Sequence, residues 1–210
     1  MMKNIVSFSG GKDSTAMLLM LLERKEPIHT VFWFDTEREF PEIIEHIKQI
    51  EKNTGVKIQR IRDYLGFDFW ENRYGKPKSS GGWCTSNKRD NCNRYMKLML
   101  KDLDGDGVEC IGFSADEVHR TEKENMKSSK KWGIRFPLIE WGISELDALD
   151  YCYSKGYDFN GIYKWMPSKR VSCYDCPKQS KADWEAIMEH YPELYEKATG
   201  KKPRLQEKLF

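Results

Sequence analysis

A strand, a glycine-rich turn and a helix follow one another within the first 22 residues, and that succession limits the fold more than any other stretch. Asn4-Ile5-Val6 reads as a short buried strand, and Ala16 to Leu22 is an unbroken apolar run of the buried-helix type. Between them lies Ser7-Phe8-Ser9-Gly10-Gly11-Lys12-Asp13-Ser14-Thr15. Two glycines let a backbone approach an anion closely. The free N–H groups of a first helical turn, with the helix dipole, favour a phosphate there. Ser9, Ser14 and Thr15 add hydroxyl donors, and Lys12 adds a mobile positive charge. An ordinary capped turn needs fewer of these groups, so the stretch reads as a phosphate site. It is not a Walker A loop, because Val6 stands where that pattern needs its first Gly and Asp13 where it needs Ser or Thr.

The next segments repeat the alternation. His29 to Phe34 reads as a second strand. Ile43, Ile44, Ile47 and Ile50 recur at helical spacing from Pro41 to Asn53, with Gly55 as the C-cap, and Val56 to Ile61 alternates as a third strand. Glu109 to Phe113 reads as a fourth. This order implies right-handed parallel crossovers and a doubly wound, mostly parallel α/β sheet. Ligands of such sheets sit at the carboxyl ends of strands, which is where Ser9 to Ser14 and Asp35-Thr36 fall. A length of 210 residues with 39% hydrophobic content suits one such domain with a small appendage. We therefore divide the chain into an α/β nucleotide domain over 1–140 and a helical, cysteine-bearing extension over 141–210. A net charge of +2 excludes a global basic field but not a local patch. There is no apolar run of about 18 residues, so no membrane span is expected. The chain enters its first strand without a signal-peptide pattern, so a cytoplasmic protein is expected. Six cysteines there point to metal, cluster or redox use, or to burial, before structural disulfides.

Several stretches admit two readings. Thr36 and Glu39 can form a capping box for the helix that follows. Phe67 to Tyr74 suits a short helix, and Lys76 to Gly82 a mobile loop that is either a lid or plain surface. Trp83 opens a helix running to about Leu103, with Cys84 near its N-terminus and close to Lys88, where a depressed thiolate pKa is expected. Cys110 and Cys152 suit the core. Glu122 to Lys131 is charged and solvated, and Ile134 to Ile139 is an edge strand or extended segment limited by Pro137. Aromatic and basic residues interleave from Tyr157 to Arg170 and suit either base stacking or core packing. Cys173-Tyr174-Asp175-Cys176-Pro177 is a soft-ligand hairpin. Two thiols do not close a site, and Cys84 is the candidate third ligand. A structural zinc with Cys92 or His190 as fourth ligand, a redox dithiol and two unrelated buried thiols are the competing readings. Helices follow over Lys181 to Glu189 and Glu193 to Ala198, before a basic tail from Gly200 to Phe210.

Ser9-Gly10-Gly11-Lys12-Asp13-Ser14 resembles the PP-loop of the adenine nucleotide alpha-hydrolase superfamily, the N-type ATP pyrophosphatases. Asp35-Thr36 with Phe40-Pro41-Glu42, and Trp83-Cys84-Thr85 with Lys88, are similar to segments of its phosphoadenosine-phosphosulfate (PAPS) reductase branch. Gly112, Glu117 and Arg120 match that branch's G-x-R-x-x-E-x-x-R segment, with Ser114 in place of the first Arg and, upstream, Glu37 where Gly is common. The resemblance implies a Rossmann-like fold that binds ATP and Mg²⁺. It places nucleotide contacts at Ser7, Ser9, Gly10, Gly11, Lys12, Asp13, Ser14, Asp35, Thr36, Gly112, Glu117 and Arg120, and catalytic roles at Lys12, Asp13 and Cys84. It also implies a [4Fe-4S] cluster on Cys84, Cys173 and Cys176, with Zn²⁺ as the alternative. The implied activity is adenylation of a substrate coupled to sulfur transfer, with a nucleic-acid or small-molecule acceptor and a sulfur-donor protein as partners. The alternatives are a sulfonucleotide reductase, against which the lack of a Cys in the closing Glu-Lys-Leu-Phe argues, and a non-catalytic nucleotide-binding module with structural zinc.

Overall fold

A computed structural model describes residues 2–80, 82–122 and 132–203. Five strands form one parallel sheet in the order β3-β2-β1-β4-β5: β1 Lys3–Phe8, β2 Ile28–Phe34, β3 Ile58–Ile61, β4 Gly107–Ile111 and β5 Gly133–Arg135. The helices are α1 Lys12–Glu23, α2 Pro41–Thr54, α3 Phe67–Tyr74, α4 Trp83–Asp102, α5 Pro137–Glu140, α6 Glu145–Ser154, α7 Ile162–Trp165, α8 Lys181–His190 and α9 Pro192–Thr199. The chain leaves β1 toward β2 on one side and reaches β4 on the other. The topological switch point therefore lies between β1 and β4, beside the glycine-rich turn, where such sheets take ligands. No helix among the described residues is long and apolar enough to cross a membrane.

Local chemistry sets the element ends. Pro41 occupies the first position of α2, and Gly55 closes it at φ +71°. β3 begins at Ile58, two residues later than the alternation suggests. Thr54 and Glu51, at the end of α2, accept from the amides of Val56 and Ile58 at 3.2 and 2.8 Å. β4 stops at Ile111 because the Phe113 amide turns back to the Ile111 carbonyl at 2.9 Å. Pro137 ends the extended segment and starts α5, so the strand expected through Ile139 is only three residues long. Of the charged stretch Glu122–Lys131, residues 123–131 lie outside the described residues, as do 204–210 of the basic tail.

The two faces of the sheet are covered unequally. On one face Ile5 and Phe32 pack with Met96 of α4. On the other, Val6, Met17, Ile43 and Ile47 share a single core with Leu138, Ala148, Phe159, Ile162, Met166 and Ile187. The helical C-terminal region thus builds the same core as the sheet, and each fully buried Phe, Ile or Met there contributes about 1.5–3 kcal/mol. That packing brings residues 163–176 onto the carboxyl edge of the sheet, over the glycine-rich turn.

Candidate nucleotide and thiol site

The turn after β1 is held from within. Gly10 has φ +76°, and a Cβ there would lie 2.8 Å from Ile43 Cγ2 of α2, so only glycine fits. The Ser14 hydroxyl accepts from the Ser9 amide at 3.1 Å and donates to the Gly11 carbonyl at 3.0 Å. Gly112, just past β4, presses on the first turn of α1. A Cβ there would sit 3.0 Å from the Ser14 backbone, so its value is close approach. Thr15 Oγ1 lies 3.0 Å from His46 Nε2, and burial lowers the His46 pKa to about 4, which keeps that clamp neutral.

Lys12 is buried, and its ammonium donates to Glu145 at 3.0 Å and to Asp13 at 3.2 Å. Burial alone would lower its pKa, but the two carboxylates outweigh that and raise it. Asp13 is pushed up to about 6, chiefly by burial and against the pull of Lys12. Its Oδ1 is buried without a partner. The Lys12 amide donates at 2.9 Å to the hydroxyl of Tyr163, whose phenol burial raises above its ordinary range. That hydroxyl stays protonated, so its own hydrogen remains available beside the turn. Glu145 and Tyr163, 133 and 151 residues from Lys12, carried no local signal in the sequence.

Ser7, Ser9, Gly11, Lys12, Asp13, Ser14, Gly112, Glu117 and Arg120 line one cavity of about 690 Å³, while Gly10 packs beneath it. Ser7 donates to buried Glu109 at 2.8 Å. Arg120 pairs with Glu117 and lies 3.9 Å over the Phe113 ring, so an anion would meet an arginine already oriented. Asp35 and Thr36 face a second, smaller cavity instead. Asp35 is 3% exposed and accepts from Arg60 Nε and the Glu37 amide, both at 2.7 Å. Thr36 does not cap α2, which starts after Phe40. Its hydroxyl donates to Glu39 at 2.8 Å and lies 3.2 Å from Cys173 Sγ. Glu37 adopts φ +62°, the conformation for which glycine is cheapest, and its carboxylate accepts from the Phe67 amide at 2.7 Å. That bond at the start of α3 offsets the backbone strain.

Cys84, Cys173 and Cys176 all line this second cavity, whose volume is about 170 Å³. Cys173, Lys88, Thr85 and Phe34 also line the larger one, so the two cavities share a wall. Arg38, 4% exposed, holds the arrangement together. Its guanidinium lies 4.2 Å over Phe67, bonds Asp175 at 3.2 Å and pairs with Asp68, and its carbonyl accepts from the Tyr174 amide at 2.9 Å. Burial and the nearby Glu39 raise the Cys173 thiol. Glu39 is itself raised by burial, against the attraction of Lys88. Three thiols lining one cavity are, by residue type, a donor set that suits a soft metal or an iron–sulfur cluster. Among the described residues no three of His, Cys, Asp or Glu stand at metal-ligand spacing, so the sulfurs share a cavity without being gathered.

The remaining candidates fall elsewhere. Cys92 lines the larger cavity, and His190 stacks on Trp165 at 4.5 Å, so neither borders the thiol cavity as the zinc reading requires. Cys110 and Cys152 are buried, and burial pushes both thiols up to about 12. Tyr157, Phe159 and Tyr163 are core residues, so the aromatic stretch packs rather than presenting its rings.

The phosphoadenosine phosphosulfate reductase domain matches residues 3–179. Two uncharacterized proteins of Methanocaldococcus jannaschii, MJ0066 and MJ0973, are 28% and 27% identical over 199 and 194 residues. Those alignments cover 92% and 91% of this chain but 40% and 45% of the relatives, so the chain spans less than half their length. Among solved structures, the U34-tRNA thiolase NcsA from Methanococcus maripaludis, with its [4Fe-4S] cluster, gives a TM-score of 0.54 at 17% identity. The match covers 95% of this chain and 71% of that one. The phosphoadenylyl-sulfate reductase of Candida auris, in a phosphate complex, gives 0.52 at 13% identity over 82% of each chain. At these identities the likeness is one of fold.

Proposed function

Because the chain belongs to the phosphoadenosine phosphosulfate reductase domain family, we propose that it is an ATP pyrophosphatase that adenylates an acceptor and passes sulfur to it. The observation that carries this reading is the shared wall: the phosphate turn and the three thiols open on cavities that meet at Cys173 and Lys88. An ATP site alone would not need three thiols beside it. The thiolase activity of NcsA, a protein of the same fold, agrees with the reading.

In this proposal the triphosphate lies along Ser9 to Ser14, with adenosine toward Phe34 on the wall that the two cavities share. Lys12 leaves Glu145 for the β- and γ-phosphate oxygens. With the turn amides it stabilises charge on the departing pyrophosphate. The acceptor oxygen attacks the α-phosphorus, pyrophosphate leaves, and the acceptor carries AMP. Sulfur arriving as sulfide then forms the bond to the acceptor as the bond to the AMP oxygen breaks, and AMP departs past Lys88 and Arg120. The orphaned Oδ1 of Asp13 fits a Mg²⁺ ligand, whereas Asp35 is held by Arg60 and faces the thiols. Mg²⁺ there would neutralise phosphate charge. A [4Fe-4S] cluster on Cys84, Cys173 and Cys176 supplies, when bound, an iron without a protein ligand on which sulfur can be carried.

The test is the product of ATP turnover with Mg²⁺ and mixed cellular RNA or DNA as acceptor. Pyrophosphate release that falls at least 100-fold in Lys12→Ala is the expected result. Orthophosphate as the product, or an unchanged rate in Lys12→Ala, overturns the reading. Sulfite release from a sulfonucleotide without ATP would assign the reductase activity instead.

A further inference from the structure

The net charge of +2 conceals a local imbalance. Residues 60–101 carry ten Lys or Arg against four Asp or Glu. The four acids are engaged within the protein. Asp63 accepts from Trp70 Nε1 at 2.7 Å and from Asn87 and Asn91 at 2.8 and 2.9 Å. Asp68 and Glu71 pair with buried Arg38, and Asp90 pairs with Arg89. Arg73, Lys78, Lys88 and Lys97, by contrast, are exposed.

The same stretch concentrates exposed apolar side chains. Tyr64 is 95% exposed, Tyr74 55%, Leu65 46% and Phe69 40%. Single exposed apolar residues are ordinary, but a cluster beside a cavity marks a binding surface. The rings are linked. Phe69 meets Trp70 edge-on at 5.2 Å, Trp70 stacks on Tyr74 at 5.8 Å, and Arg73 lies 5.6 Å over Tyr74. Trp70 also lines the thiol cavity, so the ladder of rings runs from solvent to the mouth of that cavity.

We propose that this face, formed by the bend at Tyr64, by α3 and by the outward side of α4, binds an unpaired nucleic-acid strand and feeds it to the thiol cavity. Exposed rings stack on any base, and flanking cations take backbone phosphates. A duplex hides its base faces and cannot use the rings. A protein interface is depleted of lysine at its core, which this face is not. The proposal gives the acceptor of the sulfur-transfer reading its chemical class, and so rests on that reading for its consequence. Its test needs neither ATP nor sulfur.

That test is fluorescence anisotropy of a labelled single strand of about 12 nucleotides, within the usual site sizes. The strand is offered to the full chain as RNA, as DNA and as the matching duplexes, over a salt series. Single strands are expected to bind at least tenfold more tightly than duplex. Tyr64→Ala with Tyr74→Ala weakens binding about tenfold, the loss expected for one stacked base. Arg73→Glu with Lys78→Glu weakens it further and lowers the salt slope by about 2. A preference for RNA or for DNA, either of which supports the proposal, names the polymer. Tyr64→Ala alone changes a side chain that is almost wholly exposed, so it probes the surface without threatening the fold. Equal affinity for duplex, or unchanged binding by the tyrosine variants, overturns the proposal. Strand binding without pyrophosphate release would sink the enzyme reading and leave the surface standing.

Discussion

The phosphate turn is held by side chains five residues apart, Ser9 and Ser14, whereas the thiol cavity hangs on one arginine that reaches Asp175 across 137 positions. The turn sits at the switch point of the sheet, with Ser14 and Thr15 buried in the first turn of α1. The cavity is assembled from the β2–α2 loop, α3, the start of α4 and the Cys173–Cys176 hairpin. The backbone of the anion turn is thus held locally, with Glu145 and Tyr163 reaching Lys12 from afar, whereas the thiol cavity depends on long-range contacts throughout. Phosphates need fixed donors, whereas three separated thiols would have to draw together to close on a soft metal.

Substitutions can separate the two regions. The largest effect is expected from Arg38→Ala, which leaves Asp175 buried without its cation and costs about 3–5 kcal/mol. Thermal unfolding should register that loss, and iron or zinc content should collapse in the folded fraction while ATP affinity stays within about twofold. Equal loss of both functions would show that the regions are a single unit. Gly10→Ala is expected to do the reverse at about 2–3 kcal/mol, from positive φ and the clash with Ile43. Calorimetry with ATP should find binding lost and metal content kept.

The turn itself was legible because strand, glycines, hydroxyls and helix fall within one short window, and each obeys a local rule. Phe67–Tyr74 and the start of α4 were legible for the same reason. Arg38 was not. It stands among charged residues at a helix entry, and nothing near it in sequence announces Phe67, Asp68 or Asp175 as partners. Thr36 and Glu39 showed a capping spacing, yet Pro41 starts the helix and frees both for the thiol side. Tyr157 to Arg170 carried the composition of a base-stacking surface, and only burial distinguishes it from the exposed rings at residues 64–74.

Two smaller effects sharpen the contrast on the phosphate side. Tyr163→Phe removes the acceptor for the Lys12 amide and the hydrogen beside the turn, at about 1 kcal/mol. ATP titration should find affinity down about fivefold, with the melting temperature lowered by a few degrees. Asp13 titrates near 6 in the folded chain against an ordinary 3.8, so the folded protein keeps a proton that the unfolded chain gives up. Stability therefore falls as pH rises between about 4 and 6, by about 3 kcal/mol. Asp175 is raised to about 6 as well and contributes with the same sign. Asp13→Asn should accordingly remove about half of that slope in urea titrations across the window. Pyrophosphate release by the unaltered protein should rise through about pH 6, as Asp13 ionises and can hold a cation.

The adjacency of nucleotide and thiols is tested most directly by thiol footprinting. The metal-free protein is alkylated with and without saturating Mg·ATP, and each cysteine is followed by mass spectrometry. Cys173, on the wall common to both cavities, is expected to react at least fivefold more slowly with the nucleotide bound, and at an unchanged rate in Lys12→Ala. Equal rates at Cys173 in the presence and absence of bound ATP would contradict a shared centre.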